Sequence, residues 1–454
     1  MSKNITRRDF LKKSAAAAGG MAAVAACASG STGTSSATAK EMGEMSCRTW
    51  GEDTISLLGY GCMRWPFTKD ADGNDVIDQQ KVNELVDYAI EHGVNYFDTS
   101  YHYGRGQSEK ATGIALARHP RDKWYIATKM TSYLDEFGDR QREESIRHYH
   151  ESFELLQVDT IDYYLIHGAG IGGMERLHKH FLDIGLLEYF MEERRLGHIR
   201  HFGFSFHGDM EVFDYLLSIH DQVHWDMVQI QMNYADWKHA SGWNINAETL
   251  YGRLAEKGIP VVIMEPLRGG SLASLPDHLT ERLKALRPEE SIASWSFRFN
   301  ATYPDVMTVL SGMTYLEHLE ENVRTFSPIE ECSQADMEML EEIATILLEY
   351  PLVPCTACEY CMPCPYGINI PGIFQHYNKC VTRGDMATSK EDPGYRKARR
   401  AYLVSYNRAI PTLRQADHCI GCGQCMVHCP QTIKIPTELQ RIDRYIESLK
   451  QETL

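Results

Sequence analysis

VNYFDTS at 94–100, WYIATKM at 124–130 and IDYYLIH at 161–167 decide how this chain folds. Each run is short, rich in Ile, Val, Tyr and Phe, and apolar along nearly its whole length. A strand with one wet face alternates polar and apolar residues. These runs barely alternate, which predicts strands buried on both faces, as in a parallel sheet. Working outward, similar runs recur as LLGYGCM (57–63), HIRHFGFS (198–205), MVQIQMN (227–233), IPVVIMEP (259–266) and VMTVLSG (306–312), giving eight between about residues 55 and 325. Helical patterns fill the gaps. Val82, Leu85, Val86, Ala89 and Ile90 share one helical face, and Gly93 stands where a helix stops in a left-handed residue. Strand and helix alternating eight times is the pattern of an α/β chain closed into a (β/α)₈ barrel. A doubly wound open sheet is the rival, but no G-x-G-x-x-G follows the first strand.

In such a barrel the chemistry sits at the C-terminal ends of the strands. Asp98 ends the second strand, Lys129 the third and His167 the fourth, and Tyr103 follows Asp98 in the loop. Singly, each has a plain explanation: a packing tyrosine, a satisfied core histidine. Together they suit one reaction. Reducing a carbonyl needs a hydride donor on one side and a proton donor at the oxygen. Tyrosine has an ordinary pKa near 10. A nearby lysine cation lowers it, and an aspartate holds that lysine charged. Tyr103 is then the general acid in reduction and the base in oxidation, with His167 orienting the substrate oxygen. No side chain supplies a hydride, so a cofactor must.

FDTSYHYGRGQSE, IATK, YLIH, FGFS and QIQ resemble the signatures of the aldo-keto reductases, over roughly residues 47–325. The resemblance implies a catalytic tetrad of Asp98, Tyr103, Lys129 and His167, and NAD(H) or NADP(H) lying across the barrel mouth. It implies Ser205 and Gln229 at the carboxamide. Glu265, Pro266, Leu267, Arg268, Gly269 and Gly270, with Ser311, Gly312 and Met313, would pass near the phosphates, and Glu321 and Asn322 near the adenine. Two departures stand out. The family has Asn after the serine, where this chain has Phe206 and His207. The cationic positions that grip a 2′-phosphate fall near Gly312 and His318, and neither offers an arginine fork. NAD and NADP both stay open. Trp65, Tyr101, His102 and His207 are candidates to line the substrate pocket.

Eight of the 13 cysteines fall in two runs. Cys355, Cys358, Cys361 and Cys364 precede Pro365. Cys419, Cys422, Cys425 and Cys429 precede Pro430. The second run matches the bacterial ferredoxin spacing C-x₂-C-x₂-C-x₃-C-P, and the first is a near variant, so both predict [4Fe-4S] ligation over zinc or disulfides. In two-cluster ferredoxins the fourth cysteine of each run ligates the other cluster. That resemblance groups Cys355, Cys358, Cys361 and Cys429 on one cluster and Cys419, Cys422, Cys425 and Cys364 on the other. The stretch between the runs, roughly 368–415, reads mostly as helix, with a basic RKARR at 396–400.

The chain opens MSKNITRRDFLKK, then a weakly apolar Ala/Gly run. Arg7 and Arg8 resemble a twin-arginine export signal, which lies outside the fold. Val24-Ala25-Ala26-Cys27 resembles a lipobox, and cleavage before Cys27 would leave a lipid-anchored cysteine; ordinary signal cleavage is the alternative. The expected organisation is a signal at 1–27, a flexible linker at 28–46, the barrel at 47–335 and a mostly helical, ferredoxin-like two-cluster domain at 336–454. The expected location is the periplasm or the outer face of the cytoplasmic membrane. The net charge of −16 argues against a nucleic-acid-binding surface, which would need a basic stripe. A small carbonyl or alcohol is the expected substrate and a redox protein the expected partner. Two other readings stand beside this one: an electron-transfer subunit whose barrel is a docking scaffold, and clusters that are purely structural.

Overall fold

The computed structural model describes residues 43–130, 138–239 and 244–454; the expected signal and Cys27 lie outside them. The described residues open on an antiparallel hairpin, β1 (Cys47–Trp50) and β2 (Asp53–Ser56), before the first barrel strand, β3 (Leu58–Gly61). A second small hairpin follows, β4 (Phe67–Lys69) and β5 (Asp75–Ile77). The remaining strands are β6 (Tyr96–Asp98), β7 (Tyr125–Met130), β8 (Ile161–Ala169), β9 (Ile199–Phe206), β10 (Met227–Gln231), β11 (Val261–Met264) and β12 (Val306–Ser311). With β3 they close into an eight-stranded parallel barrel in chain order. The eight apolar runs of the sequence are these eight strands.

Ile55, Tyr96, Ala127, Leu165, Met227, Val262 and Met307 form one buried cluster within the barrel. Ile55 belongs to the opening hairpin, and Asp53 beside it is buried. Asp53 accepts hydrogen bonds from Tyr163 (2.8 Å) and Arg200 (2.6 Å), and its Oδ2 lies 2.8 Å from His201 Nε2. These partners lie at the N-terminal ends of β8 and β9, so the hairpin plugs the end opposite the chemistry.

The helix Gln79–Glu91 shows why the crossovers form. Asp78 caps its start by accepting from the Lys81 amide at 3.2 Å, and Val82, Leu85, Val86 and Ala89 are buried. Gly93 ends it at φ +86, close enough to Met45 that a Cβ would stand 2.9 Å from it.

One boundary differs from expectation. The helix Gln334–Leu348, placed by the sequence in the C-terminal domain, packs Leu340, Ile343 and Ala344 into the barrel's outer core. A separate core begins near Val353 and is built on the helices Ile370–Thr382, Tyr395–Ala409 and Ile435–Gln451, with Phe374, Tyr402, Tyr406, Leu439 and Ile442 at its centre. No described helix is long and apolar enough to cross a membrane.

Candidate active site

Barrel register gathers the site. Asp98 pairs with Ala127, and Lys129 is two residues further on; Lys129 pairs with Leu165, and His167 is two further again. Side chains two apart on a strand share a face. The three therefore point inward at one end, each a step higher than the last. Ser205 continues the series two residues beyond Gly203, which pairs with Leu165, and Ser205 pairs directly with Gln229. Gly203 has no room for a side chain, since a Cβ would stand 2.1 Å from Met227 O.

Lys129 Nζ donates to Asp98 Oδ1 at 2.6 Å and to Thr99 O at 2.7 Å, with both side chains buried. It lies 4.8 Å from the centroid of the Tyr103 ring. Burial pushes the Asp98 pKa up and the Lys129 pKa down, and the ion pair opposes both shifts. Asp98 Oδ2 has no hydrogen-bond partner among the described residues, so its charge is directed at the lysine. Burial foremost, with Lys129 nearby, holds the His167 pKa well below its usual value. Its imidazole is neutral, with one nitrogen to donate and one to accept. Nδ1 lies 3.2 Å from Ser100 Oγ. A buried cation beside a phenol and a neutral imidazole can hold a carbonyl oxygen and exchange a proton with it.

These groups open into a cavity of about 590 Å³. Asp98, Tyr103, Lys129, His167, Ser205, Gln229, Pro266, Leu267, Gly269, Gly270, Ser311, Gly312, His318, Glu321 and Asn322 all line it. The set could hold a nicotinamide dinucleotide. Gln229 Oε1 is buried there with no described partner, as a carboxamide acceptor should be before its ligand arrives. Two expected contacts are not among the lining residues. Arg268, at φ 48, has its Nε 3.5 Å from Asp236 Oδ1. Met313 is buried in the core, and its carbonyl accepts the Tyr60 hydroxyl at 2.5 Å. The Glu265 carboxylate accepts the Gly269 amide at 2.7 Å, which takes up an N–H that a phosphate could otherwise use. Of the pocket candidates only His207 lines the cavity. Trp65 is buried and donates to Thr112 at 2.9 Å, while Tyr101 donates to Glu151 at 2.8 Å.

Sequence reasoning missed Arg64 and the C-terminal wall. Arg64 lies along Gly312, where a Cβ would stand 3.0 Å from its Cδ, and so brings a cation to the place where the sequence shows none. It also donates to Thr356 O at 2.7 Å. Thr356, Cys358, Tyr360, Pro430 and Gln431 cross from the C-terminal domain to line the same cavity.

Cys355, Cys358, Cys361 and Cys429 surround a second, smaller cavity with Ile370, Phe374, Ile433 and Ile435. Burial foremost, then the Cys355 and Cys429 charges, pushes the Cys358 thiol up to about 12. Cys425, pushed up to about 11 by burial, has Cys364, Cys419 and Cys422 as its thiol neighbours. Each neighbourhood draws cysteines from both runs. Soft thiol donors around the first space suit an iron–sulfur cluster. Among the described residues no three His, Cys, Asp or Glu side chains converge closely enough for a single metal ion.

A parallel eightfold barrel with an ion-paired lysine, a tyrosine and a histidine at its mouth defines an oxidoreductase. Residues 57–345 match the aldo/keto reductase family, and residues 354–435 match a 4Fe-4S dicluster domain. The chain therefore belongs to the aldo/keto reductase family and carries a C-terminal 4Fe-4S ferredoxin-like domain. It is 27% identical to an L-galactose dehydrogenase of Arabidopsis thaliana over 273 residues, which covers 56% of this chain and 80% of that one. It is 25% identical to an NADH-specific methylglyoxal reductase of Escherichia coli over 334 residues, covering 65% and 96%. The fold matches the holo form of an aldo-keto reductase from Bacillus halodurans with TM-score 0.51 and 22% identity, over 66% of this chain and 96% of that one. It also matches an aldo/keto reductase from Klebsiella pneumoniae in complex with NADP and acetate, with TM-score 0.50 and 20% identity, over 64% and 93%.

Proposed function

We propose that the barrel interconverts a carbonyl and an alcohol with a bound nicotinamide dinucleotide, and that Tyr103 moves the proton. The buried Lys129 ammonium, fixed between Asp98 and the Tyr103 ring, carries the reading. When bound, the nicotinamide supplies or accepts the hydride. Ser205 and Gln229 would hold its carboxamide. In reduction Tyr103 Oη donates its proton to the carbonyl oxygen, and Lys129 stabilises the tyrosinate left behind. In oxidation the tyrosinate takes the hydroxyl proton back. His167, neutral, has Ser100 Oγ at its Nδ1 and the Tyr360 hydroxyl at its Nε2, so it would act on the substrate through that hydroxyl. Tyr103→Phe should lower turnover by about 10²–10⁴-fold, in line with the usual contribution of a positioned acid or base, with nucleotide affinity unchanged. Unchanged turnover would remove the tyrosine from the mechanism.

The C-terminal domain carries two [4Fe-4S] clusters in this reading, one on Cys355, Cys358, Cys361 and Cys429 and one on Cys364, Cys419, Cys422 and Cys425. One observation favours an electron path over a purely structural role. Cys358 lines both the cluster cavity and the barrel cavity, while Cys422 is exposed beside exposed Ile420 and Val427. The first cluster would face the reaction and the second a redox partner, but a hydride carries two electrons and each cluster takes one, so such a path would need a one-to-two-electron converter such as a flavin between nicotinamide and cluster. Clusters bleached by substrate alone, under anaerobic conditions, would support a path; clusters that stay silent through turnover would leave them structural. The resemblance of residues 1–27 to a twin-arginine signal with a lipobox supports the last part of the proposal: a location outside the cytoplasmic membrane, cofactors seated before export and a lipid anchor on Cys27.

A further inference from the structure

Tyr360 stands between two cysteines of the first cluster run, yet its hydroxyl reaches into the barrel and lies 3.0 Å from His167 Nε2. Two phenol rings meet that imidazole edge-on. Tyr103 comes from the barrel, 5.8 Å away between centroids, and Tyr360 from the cluster loop, 6.1 Å away, each at 80° between planes. Both line the same cavity.

The loop is held down at several points. Arg64 donates to Thr356 O at 2.7 Å. Gly269 approaches so closely that a Cβ would stand 2.5 Å from Thr356 Cα. The Gln431 amide donates to Gln231 Oε1 at 2.9 Å. Ala357 and Glu359, on either side of Cys358, take left-handed conformations at φ 53 and 65, which aims the Cys358–Cys361 turn at the barrel. A non-glycine residue in that region is uncommon and is kept where the surroundings dictate it.

We propose that Tyr360 is a specificity-determining residue of the barrel's site, supplied by the cluster domain: its hydroxyl, anchored on His167, binds an oxygen on the carbon beside the reacting one. The proposal rests on the carbonyl–alcohol reading above. A phenol both donates and accepts, so one hydroxyl can engage His167 and a ligand oxygen together. Tyr103 serves the reacting oxygen. Both phenols pack on one imidazole and line one cavity, so a substrate spanning them would present neighbouring oxygens to the two hydroxyls. The site then selects hydroxy-carbonyl compounds and vicinal diols over simple aldehydes and alcohols. A site built to hydrogen-bond a hydroxyl discriminates against the analogue that lacks it.

The test compares D-glyceraldehyde with propanal, three-carbon aldehydes with and without the neighbouring hydroxyl. It uses the full-length holoprotein and its Tyr360→Phe variant. The variant keeps the ring, so visible cluster absorbance and nucleotide affinity should match the wild type. Loss of one hydrogen bond to the neighbouring hydroxyl predicts that the ratio of kcat/KM for D-glyceraldehyde to that for propanal falls about tenfold. An equal change for both aldehydes, no change for either, or altered cluster absorbance would overturn the assignment. If wild-type protein reduced neither aldehyde, the carbonyl–alcohol reading would fall first, a result distinct from the loss of selectivity.

Discussion

Asp98→Asn removes one charge and almost no volume. In the wild type, Lys129 Nζ lies 2.6 Å from Asp98 Oδ1, with both side chains buried. The variant leaves an ammonium in the core with Thr99 O and an amide oxygen as its polar neighbours. Breaking a buried pair costs about 3–5 kcal/mol. Deprotonation limits the loss: at about 1.36 kcal/mol per pH unit below an unfolded pKa of about 10.4, neutralising Lys129 costs about 4.6 kcal/mol at pH 7 and about 1.9 kcal/mol at pH 9. With the asparagine oxygen still accepting a hydrogen bond, the expected loss is about 3–4 kcal/mol at pH 7 and at most about 2 kcal/mol at pH 9. The sign follows from the lysine. Its folded pKa in the variant lies below the unfolded value, so the penalty is largest at low pH and fades as pH rises toward 10.4. Anaerobic urea titration followed by tryptophan fluorescence, at both pH values, measures it. A penalty equal at pH 7 and pH 9 would refute the buried-cation argument.

Three further changes probe other parts of the structure. Burial pushes the Glu109 carboxyl up to about 7, opposed by the Thr128 and Ser152 hydroxyls. Its folded pKa exceeds the unfolded value, so it favours folding below about pH 4.5, and the wild type should lose about 3 kcal/mol of stability as pH rises through 7. Glu109→Gln should abolish that loss, and parallel urea profiles for the two proteins would contradict it. The crossed cluster pairing predicts that Cys429→Ala combined with Cys358→Ala loses no more iron than either alone, about four of about eight per chain, whereas Cys429→Ala with Cys422→Ala loses both clusters; the opposite pattern would assign each run to its own cluster. Gly269→Ala places a Cβ 2.5 Å from Thr356 at φ +66, and should raise amide exchange across 355–360 at least tenfold. Unchanged protection would mean that the loop does not rest on the barrel.

The strands were legible because a parallel barrel demands apolar runs buried on both faces, and eight of them leave little else to build. Asp98, Lys129 and His167 were legible because each ends such a run. The same rule fits Arg64, but it stands three residues past Gly61, behind Cys62 and Met63, and a cation there means little until Gly312 and Thr356 fold against it. Arg268 turns on a related point. A basic residue among glycines suggests a phosphate, yet its left-handed backbone turns the side chain toward Asp236. The helix Gln334–Leu348 shows a buried face in sequence, but amphipathicity does not say which surface covers it. Tyr360 was hidden most fully. Its partner His167 lies 193 residues away, and the flanking cysteines account for the motif without it.

The central claim is a nicotinamide enzyme built into a barrel with an iron–sulfur cover. Mature protein purified without oxygen, denatured and examined by mass spectrometry for released small molecules tests it most directly. The account predicts about one NAD(H) or NADP(H) per chain, or stoichiometric uptake when the nucleotide is added, and the mass also decides between the two. A chain that releases none and takes up none would contradict it, leaving the barrel a scaffold for the cluster domain.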